Sequence, residues 1–274
     1  MKMEKENSEN NCIQKLFSCC LETDSDRYDL VNYEVNYKGV SIYPKAIKEL
    51  DNELLIFPAG TIVSEERTKI NFTKEGLFKF ILSLQNLDYE TIYNENNLII
   101  SKRDSSNISD KVPLIRFQIK KNKSDFLKIP KITKLIDVMT YPEIRSLWDD
   151  NIMEYKIIEK LNTYSEILKI ITSKSEILSG KEVYDKRIRL LKEGVYYVFS
   201  SSIPDNNNFF SLDYEKGITI LSLMIVKGDK DFFHFDCFNQ IDINEELPKD
   251  FFTEYLPNKT ISFFEKYFEF LNTL

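Results

Sequence analysis

The chain has 274 residues, 42% hydrophobic and 13% aromatic, with 37 Lys and Arg against 44 Asp and Glu for a formal net charge of −7. That is enough apolar material for one large folded domain, or a domain with an extension, and too much for a disordered chain. The acidic balance, with no basic stripe interleaved with aromatics, excludes a nucleic-acid binder and leaves any contact with an anionic membrane to a local feature.

Residues 1–27 are polar and charged apart from Leu16-Phe17 beside Cys19-Cys20, and are expected to form a mobile tail. No apolar core precedes a small-residue cleavage site, and Lys2 stands where N-myristoylation needs a glycine, so a cytoplasmic protein is expected. Residues 28–71 read as an N-terminal extension. Val31, Tyr33, Val35 and Tyr37 alternate with polar residues up to Gly39, a half-buried strand by pattern. A helix begun by Pro44 is expected over 44–50, a strand over 54–57, then a turn at Pro58-Ala59-Gly60 and further strand at Ile62-Val63.

Thr73 caps a helix whose Leu77, Phe80, Ile81 and Leu84 keep the 3.6-residue period. Strands are expected over 93–102 and 112–120, then a helix striped by Ile132, Leu135, Ile136 and Met139. Pro142 ends that helix and opens a second, short one carrying Trp148. Strands then follow one another at 152–161, 165–172, 183–190, 194–202, 217–226 and 231–243, separated by turn residues such as Glu193-Gly194 and Gly228-Asp229. The apolar run 218–226 is far short of the roughly 20 residues that span a bilayer. A terminal helix beginning near Lys249 or Asn258 runs to Leu271. The pattern alone defines an α+β domain with a curved sheet.

Chemistry is sparse. Cys12, Cys19, Cys20 and Cys237 lack zinc-ligand spacing, and a disulfide framework is not expected in a cytosolic chain of this size, so neither metal nor cofactor is expected. The single histidine, His234, reads as a satisfied strand residue, with Cys237 on the opposite strand face. Seven glycines supply no phosphate-cradling loop, and no nucleophile elbow or HExxH occurs. No catalytic residue is assigned and no enzymatic activity is expected. Arg145 reads as a structural partner of Asp149 or Asp150.

Several blocks occur in an informative order: Arg145 and Trp148-Asp149, then 194–204 (Gly-Val-Tyr-Tyr-Val-Phe-Ser-Ser-Ser-Ile-Pro), Lys216-Gly217-Ile218, Gln240-Ile241-Asp242, Leu247-Pro248 and the aromatic segment 261–268. Together, over about 72–272, they resemble a StAR-related lipid transfer (START) domain. The resemblance implies a helix-grip fold over 72–274, a curved antiparallel sheet wrapped on the C-terminal helix and enclosing a hydrophobic cavity for one lipid. It implies that this helix covers the cavity mouth, with Phe264, Phe268, Phe235 and Cys237 against lipid. Arg187 falls where the family has an arginine able to enter the cavity, and Arg189 shares its strand face; a permanently charged planar fork suits a headgroup phosphate. Leu168 aligns with the acid that some members pair with that arginine, and Glu166 shares its face. The family glycine after Asp242 is replaced within Asn244-Glu245-Glu246, and Ile218-Thr219 stands where the family has an arginine.

The loop 173–181 holds Ile177 and Leu178 amid small polar residues, with Lys174 and Lys181 flanking, and in the family this place gates the cavity. Transient membrane contact through these four residues is expected. The expected function is binding, with transfer between membranes, of a single lipid, phospholipid favoured, by a monomer. The alternatives are a sterol or sphingolipid sensor, a helix-grip enzyme acting on a hydrophobic small molecule, and an interaction module whose cavity is filled by its own side chains.

Overall fold

A computed structural model of the chain describes the backbone of 35–37, 40–42, 53–56, 69–72 and 74–77, and whole residues 78–106, 108–161, 165–175, 177–203 and 213–274. The expected tail, the start of the strand at Val31, the helix over 44–50, the turn at 58–60, Ile62-Val63 and the Thr73 cap lie outside the described residues.

Two short antiparallel hairpins come first: β1 (Val35–Tyr37) with β2 (Val40–Ile42), and β3 (Glu53–Ile56) with β4 (Lys69–Phe72). β1 and β3 fall on expected strands; β2 and β4, three and four residues long, fall where none was assigned. The first helix among the described residues, α1 (Lys74–Gln85), follows.

The main sheet uses β5 (Glu90–Glu95), β6 (Leu98–Arg103), β7 (Leu114–Asn122), β8 (Ile152–Lys160), β9 (Ser165–Thr172), β10 (Lys181–Lys192), β11 (Val195–Ser202), β12 (Glu215–Lys216), β13 (Ile218–Gly228) and β14 (Phe232–Asp242). Its order is β5-β6-β7-β14-β13-β11-β10-β9-β8, every step antiparallel, with β12 alone running parallel to β10. The single strand expected over 93–102 is in fact the hairpin β5–β6. Asn96 and Asn97 turn the chain with φ of 52° and 64°, the left-handed conformation a two-residue hairpin turn requires and asparagine tolerates best after glycine. Glu193 and Gly194, at 52° and 73°, do the same between β10 and β11.

Between β7 and β8 lie α2 (Ile132–Thr140) and the one-turn α3 (Pro142–Arg145), which has Pro142 in its first turn. Trp148, expected on that second helix, lies in the turn after it. A π-type turn (Phe251–Tyr255) leads into the terminal helix α4 (Leu256–Asn272).

Strand alternation gives the sheet two apolar faces. Outside, Ile81 and Leu84 of α1 pack with Leu190, Phe199, Leu221 and Phe238. Inside, α2, α3 and α4 cover Ile100, Phe117, Ile119, Tyr196, Val198 and Phe235. Two buried donors stitch the inner helices together: the Trp148 indole N–H reaches Val138 O at 3.0 Å, and the Tyr267 hydroxyl reaches Leu135 O at 2.7 Å. The fold is therefore α+β, a large curved, unclosed antiparallel sheet gripping its C-terminal helix.

Candidate functional site

Residues directly opposite in paired strands share a face, so the registers lay out the inner face as rows across the sheet. One row reads Glu166, Arg187, Ser200, Ser222, Asn239. The next reads Arg189, Val198, Met224, Cys237, Phe117, and the third Leu191, Tyr196, Val226, Phe235, Ile119. Polarity thus falls from a charged and hydroxylated row to an aliphatic and aromatic one. Ser200, Ser222, Met224 and Asn239, at the centre of this face, are only partly buried although strands flank them on both sides.

The polar end is built around Arg187, which is 2% exposed. Its Nε and Nη2 donate to Glu166 Oε1 at 3.0 and 2.6 Å, and Nη1 donates to the Tyr155 hydroxyl. Tyr155 in turn reaches Thr140 O at 3.3 Å, tying the cluster to α2. Arg189 is also buried; its Nη2 lies 3.5 Å from the same Glu166 oxygen, its guanidinium lies 5.0 Å from the Tyr141 ring centroid, and its Nε has no hydrogen-bond partner. Burial alone would raise the Glu166 pKa, but Arg187 and then Arg189 outweigh it and hold the carboxyl below its ordinary value. Further along β10, Asp185 is fully buried and pushed up to about 6 by desolvation, although Ser202 Oγ donates to it at 2.8 Å.

The apolar end brings Phe235, Phe264 and Phe268 together. The Phe235 ring lies 6.0 Å from Phe264, 6.1 Å from Tyr267 and 5.8 Å from Phe268, mostly edge to face. Cys237 sits one row over with a buried thiol whose pKa desolvation raises. Phe235 and Cys237 share the inner sheet face with the arginines, and Phe264 and Phe268 approach it from α4.

The expected gate loop is anchored by its own carboxylate clamp. Ser179 N donates to Glu245 Oε1 at 3.2 Å, and Lys181, only 4% exposed, places Nζ 2.6 Å from the same oxygen and also pairs with Glu215. The Lys181 hydrogen bond, with Ser179 behind it, holds Glu245 at about 2. This makes Lys181 a buried anchor rather than a charge free to meet a membrane. Ile177 and Leu178 are partly buried and Lys174 is exposed. Gly180 closes the loop where a Cβ would come 2.9 Å from Thr172 O. Asn244, within the stretch that replaces the family glycine, takes a φ of 53°, which asparagine tolerates.

Glu166 and Tyr155 are the site residues that the sequence did not single out as partners of Arg187. The resemblance set Leu168 in the acid's place, whereas the register puts Leu168 opposite Asp185 and Glu166 opposite Arg187. Arg145 pairs with Asp149 at 2.9 Å, as expected of a structural arginine. His234 Nε2 lies 2.6 Å from Asp229 Oδ2. Among the described residues no group of three metal-ligating side chains occurs, and no helix is long and apolar enough to cross a membrane.

No family model and no curated protein sequence matches the chain. Solved structures do. Human StAR-related lipid transfer protein 5 superposes with a TM-score of 0.61 at 13% identity, over 73% of this chain and 94% of that one. Human STARD10 gives 0.57 at 15% identity, over 76% and 82%. The lipid transfer and protein localization domain of human StarD13 (DLC2) gives 0.54 at 13% identity, over 75% and 99%. At such identities the likeness is one of fold, and the fold is the helix-grip fold of START domains.

Proposed function

We propose that the protein binds a single lipid between the inner sheet face and α4 and carries it between membranes, with a phospholipid as the favoured cargo. The observation that carries this reading is the graded inner face, which runs from buried arginines to aromatic rings and keeps a partly exposed centre. Such a face matches an amphipathic ligand: the headgroup meets Arg187 and Arg189, and the acyl chains meet Phe235, Cys237, Phe264 and Phe268. Each buried methylene contributes about 0.8 kcal/mol, so chain burial is the main driving force. The Arg189 Nε, a buried donor without an acceptor, suits a phosphate oxygen. The loop 173–180 and α4 form the gate, with Ile177 and Leu178 touching the bilayer beside Lys174. The protein works as a cytoplasmic monomer that meets membranes transiently, and the carrier has no catalytic step.

One observation favours a second reading. Arg187 is already neutralised by Glu166 and bonded to Tyr155, and a paired arginine suits a neutral hydroxyl such as that of a sterol. Vesicle-to-vesicle transfer assays with fluorescent phosphatidylcholine and a fluorescent sterol decide between the two. Faster phospholipid transfer supports the first reading; sterol transfer alone supports the second; transfer of neither rejects a carrier.

A further inference from the structure

The segment joining β7 to α2 reverses the chain's charge locally. Over 120–134, Lys120, Lys121, Lys123, Lys128, Lys131 and Lys134 stand against one acid, Asp125: six positive charges less one negative, a net +5 within a chain of −7. Lys121 pairs with that acid at 2.9 Å. Lys131 stands at the N-cap position of α2 without a side-chain capping bond, and Lys134 lies in the first turn, where no acidic residue stands and positive charge opposes the helix dipole. Lys128 and Lys131 are exposed and Lys134 is half-buried; burial, and then the Lys128 charge, push the Lys134 pKa down.

The same segment holds two aliphatic side chains in water. Leu127 is 89% exposed and Ile129 58%. Their exposure does not come from a loose loop. Asn122 Oδ1 accepts from Ser124 N at 3.0 Å to cap the turn Lys123–Asp125, and Phe126 is buried between Phe233 and Phe268 with centroids 5.8 and 6.0 Å away. Leu127 N donates to Asn272 Oδ1 at 3.1 Å, and Pro130 is buried. The backbone is thus pinned on both sides of residues that point outward. A single exposed leucine is ordinary; a fixed aliphatic pair framed by lysines matches a bilayer, which offers acyl chains and anionic headgroups at adjacent depths. Nucleic acid would satisfy the lysines and leave the aliphatic pair without a partner.

We infer that Leu127 and Ile129, framed by Lys128, Lys131 and Lys134, form a docking surface for an anionic lipid bilayer. The surface lies at the C-terminal end of α4, by Asn272, whereas the loop 173–180 is clamped by Glu245 to the segment before α4 begins. Docking and gating therefore use different ends of the helix. Only the purpose of this surface rests on the lipid-carrier reading.

The test is co-sedimentation of the full chain with vesicles of phosphatidylcholine and with vesicles of equal parts phosphatidylcholine and phosphatidylserine, at low and high salt. Partition onto the anionic vesicles is expected to be about tenfold stronger and to weaken with salt. Leu127→Asp with Ile129→Asp, and separately Lys128→Glu with Lys131→Glu, should each lower it about tenfold. Circular dichroism and native mass spectrometry on the same variants report fold and bound lipid, so a failure of docking is separable from a failure of the carrier reading. Equal partition onto both vesicle types, or undiminished binding by either folded 127–131 variant, overturns the inference.

Discussion

Arg187 and Glu166 stand directly opposite each other on β10 and β9, and two nitrogens of the arginine reach one oxygen of the glutamate, at 3.0 and 2.6 Å. Arg189 lies 3.5 Å from that same oxygen. One buried acid thus serves two buried arginines, and a buried charge left without a counter-charge is costly.

Glu166→Gln should therefore lower stability by about 3–5 kcal/mol, the usual cost of breaking a buried pair from one side. Adding Arg187→Met should recover part of the loss, because the second substitution removes one of the two charges stranded by the first. Urea denaturation of the two single variants and the double variant measures the coupling. Simple additivity would refute the pairing.

Headgroup recognition should divide between the two arginines. Arg189→Leu removes the unused donor, and a hydrogen bond to a charged group contributes about 1.5–3 kcal/mol, so phospholipid affinity should fall about tenfold or more. Sterol affinity should stay unchanged. Arg187→Leu should lower phospholipid transfer with the fold retained, since Glu166 keeps Arg189 nearby. Displacement of a fluorescent lipid from each variant reads both effects.

Asp185 sets a pH dependence. Its carboxyl is pushed from 3.8 up to about 6 by desolvation, so the folded state holds a proton that the unfolded chain releases. The stabilising effect of that proton is complete below about 4 and is lost as pH rises through about 6. Asp185→Asn, which keeps an acceptor for Ser202, should be more stable than the parent by about 1–3 kcal/mol at pH 7, with the difference vanishing near pH 4. Melting curves across that range test it, and a difference that does not change with pH would be the contrary result.

The Glu245 clamp should govern the gate. Glu245→Gln weakens the bonds to Ser179 and Lys181 and should speed both hydrogen exchange over 173–180 and lipid transfer by several-fold. Ile177→Asp with Leu178→Asp should slow transfer without emptying the site, because aspartate penalises entry of the loop into the acyl region. Equal transfer rates for all three proteins would remove the loop from the mechanism.

Much of the architecture was legible because alternation, apolar periodicity and turn residues are local. The stripe Leu135, Ile136 and Met139 gave α2, and Glu193-Gly194 gave the β10–β11 turn. The β5–β6 hairpin was missed because Asn96-Asn97 interrupts an otherwise continuous strand-like run without glycine or proline. The partner of Arg187 was missed for a different reason. Register is a long-range property, and Glu166 and Leu168 share a strand face, so alternation cannot say which of them stands across from the arginine. The buried role of Lys181 depends on Glu245, 64 residues away. The lysines over 120–134 were visible in the sequence, but the exposure of Leu127 and Ile129 follows from how Phe126 and Asn272 fix the loop.

The most direct test of the central claim is native mass spectrometry of the purified protein, followed by extraction and identification of what it carries. A lipid carrier predicts a population heavier than the bare chain by one phospholipid, diminished in Arg189→Leu and restored on incubation with phosphatidylcholine vesicles. A chain that emerges at its bare mass and takes up neither phospholipid nor sterol from vesicles would contradict it.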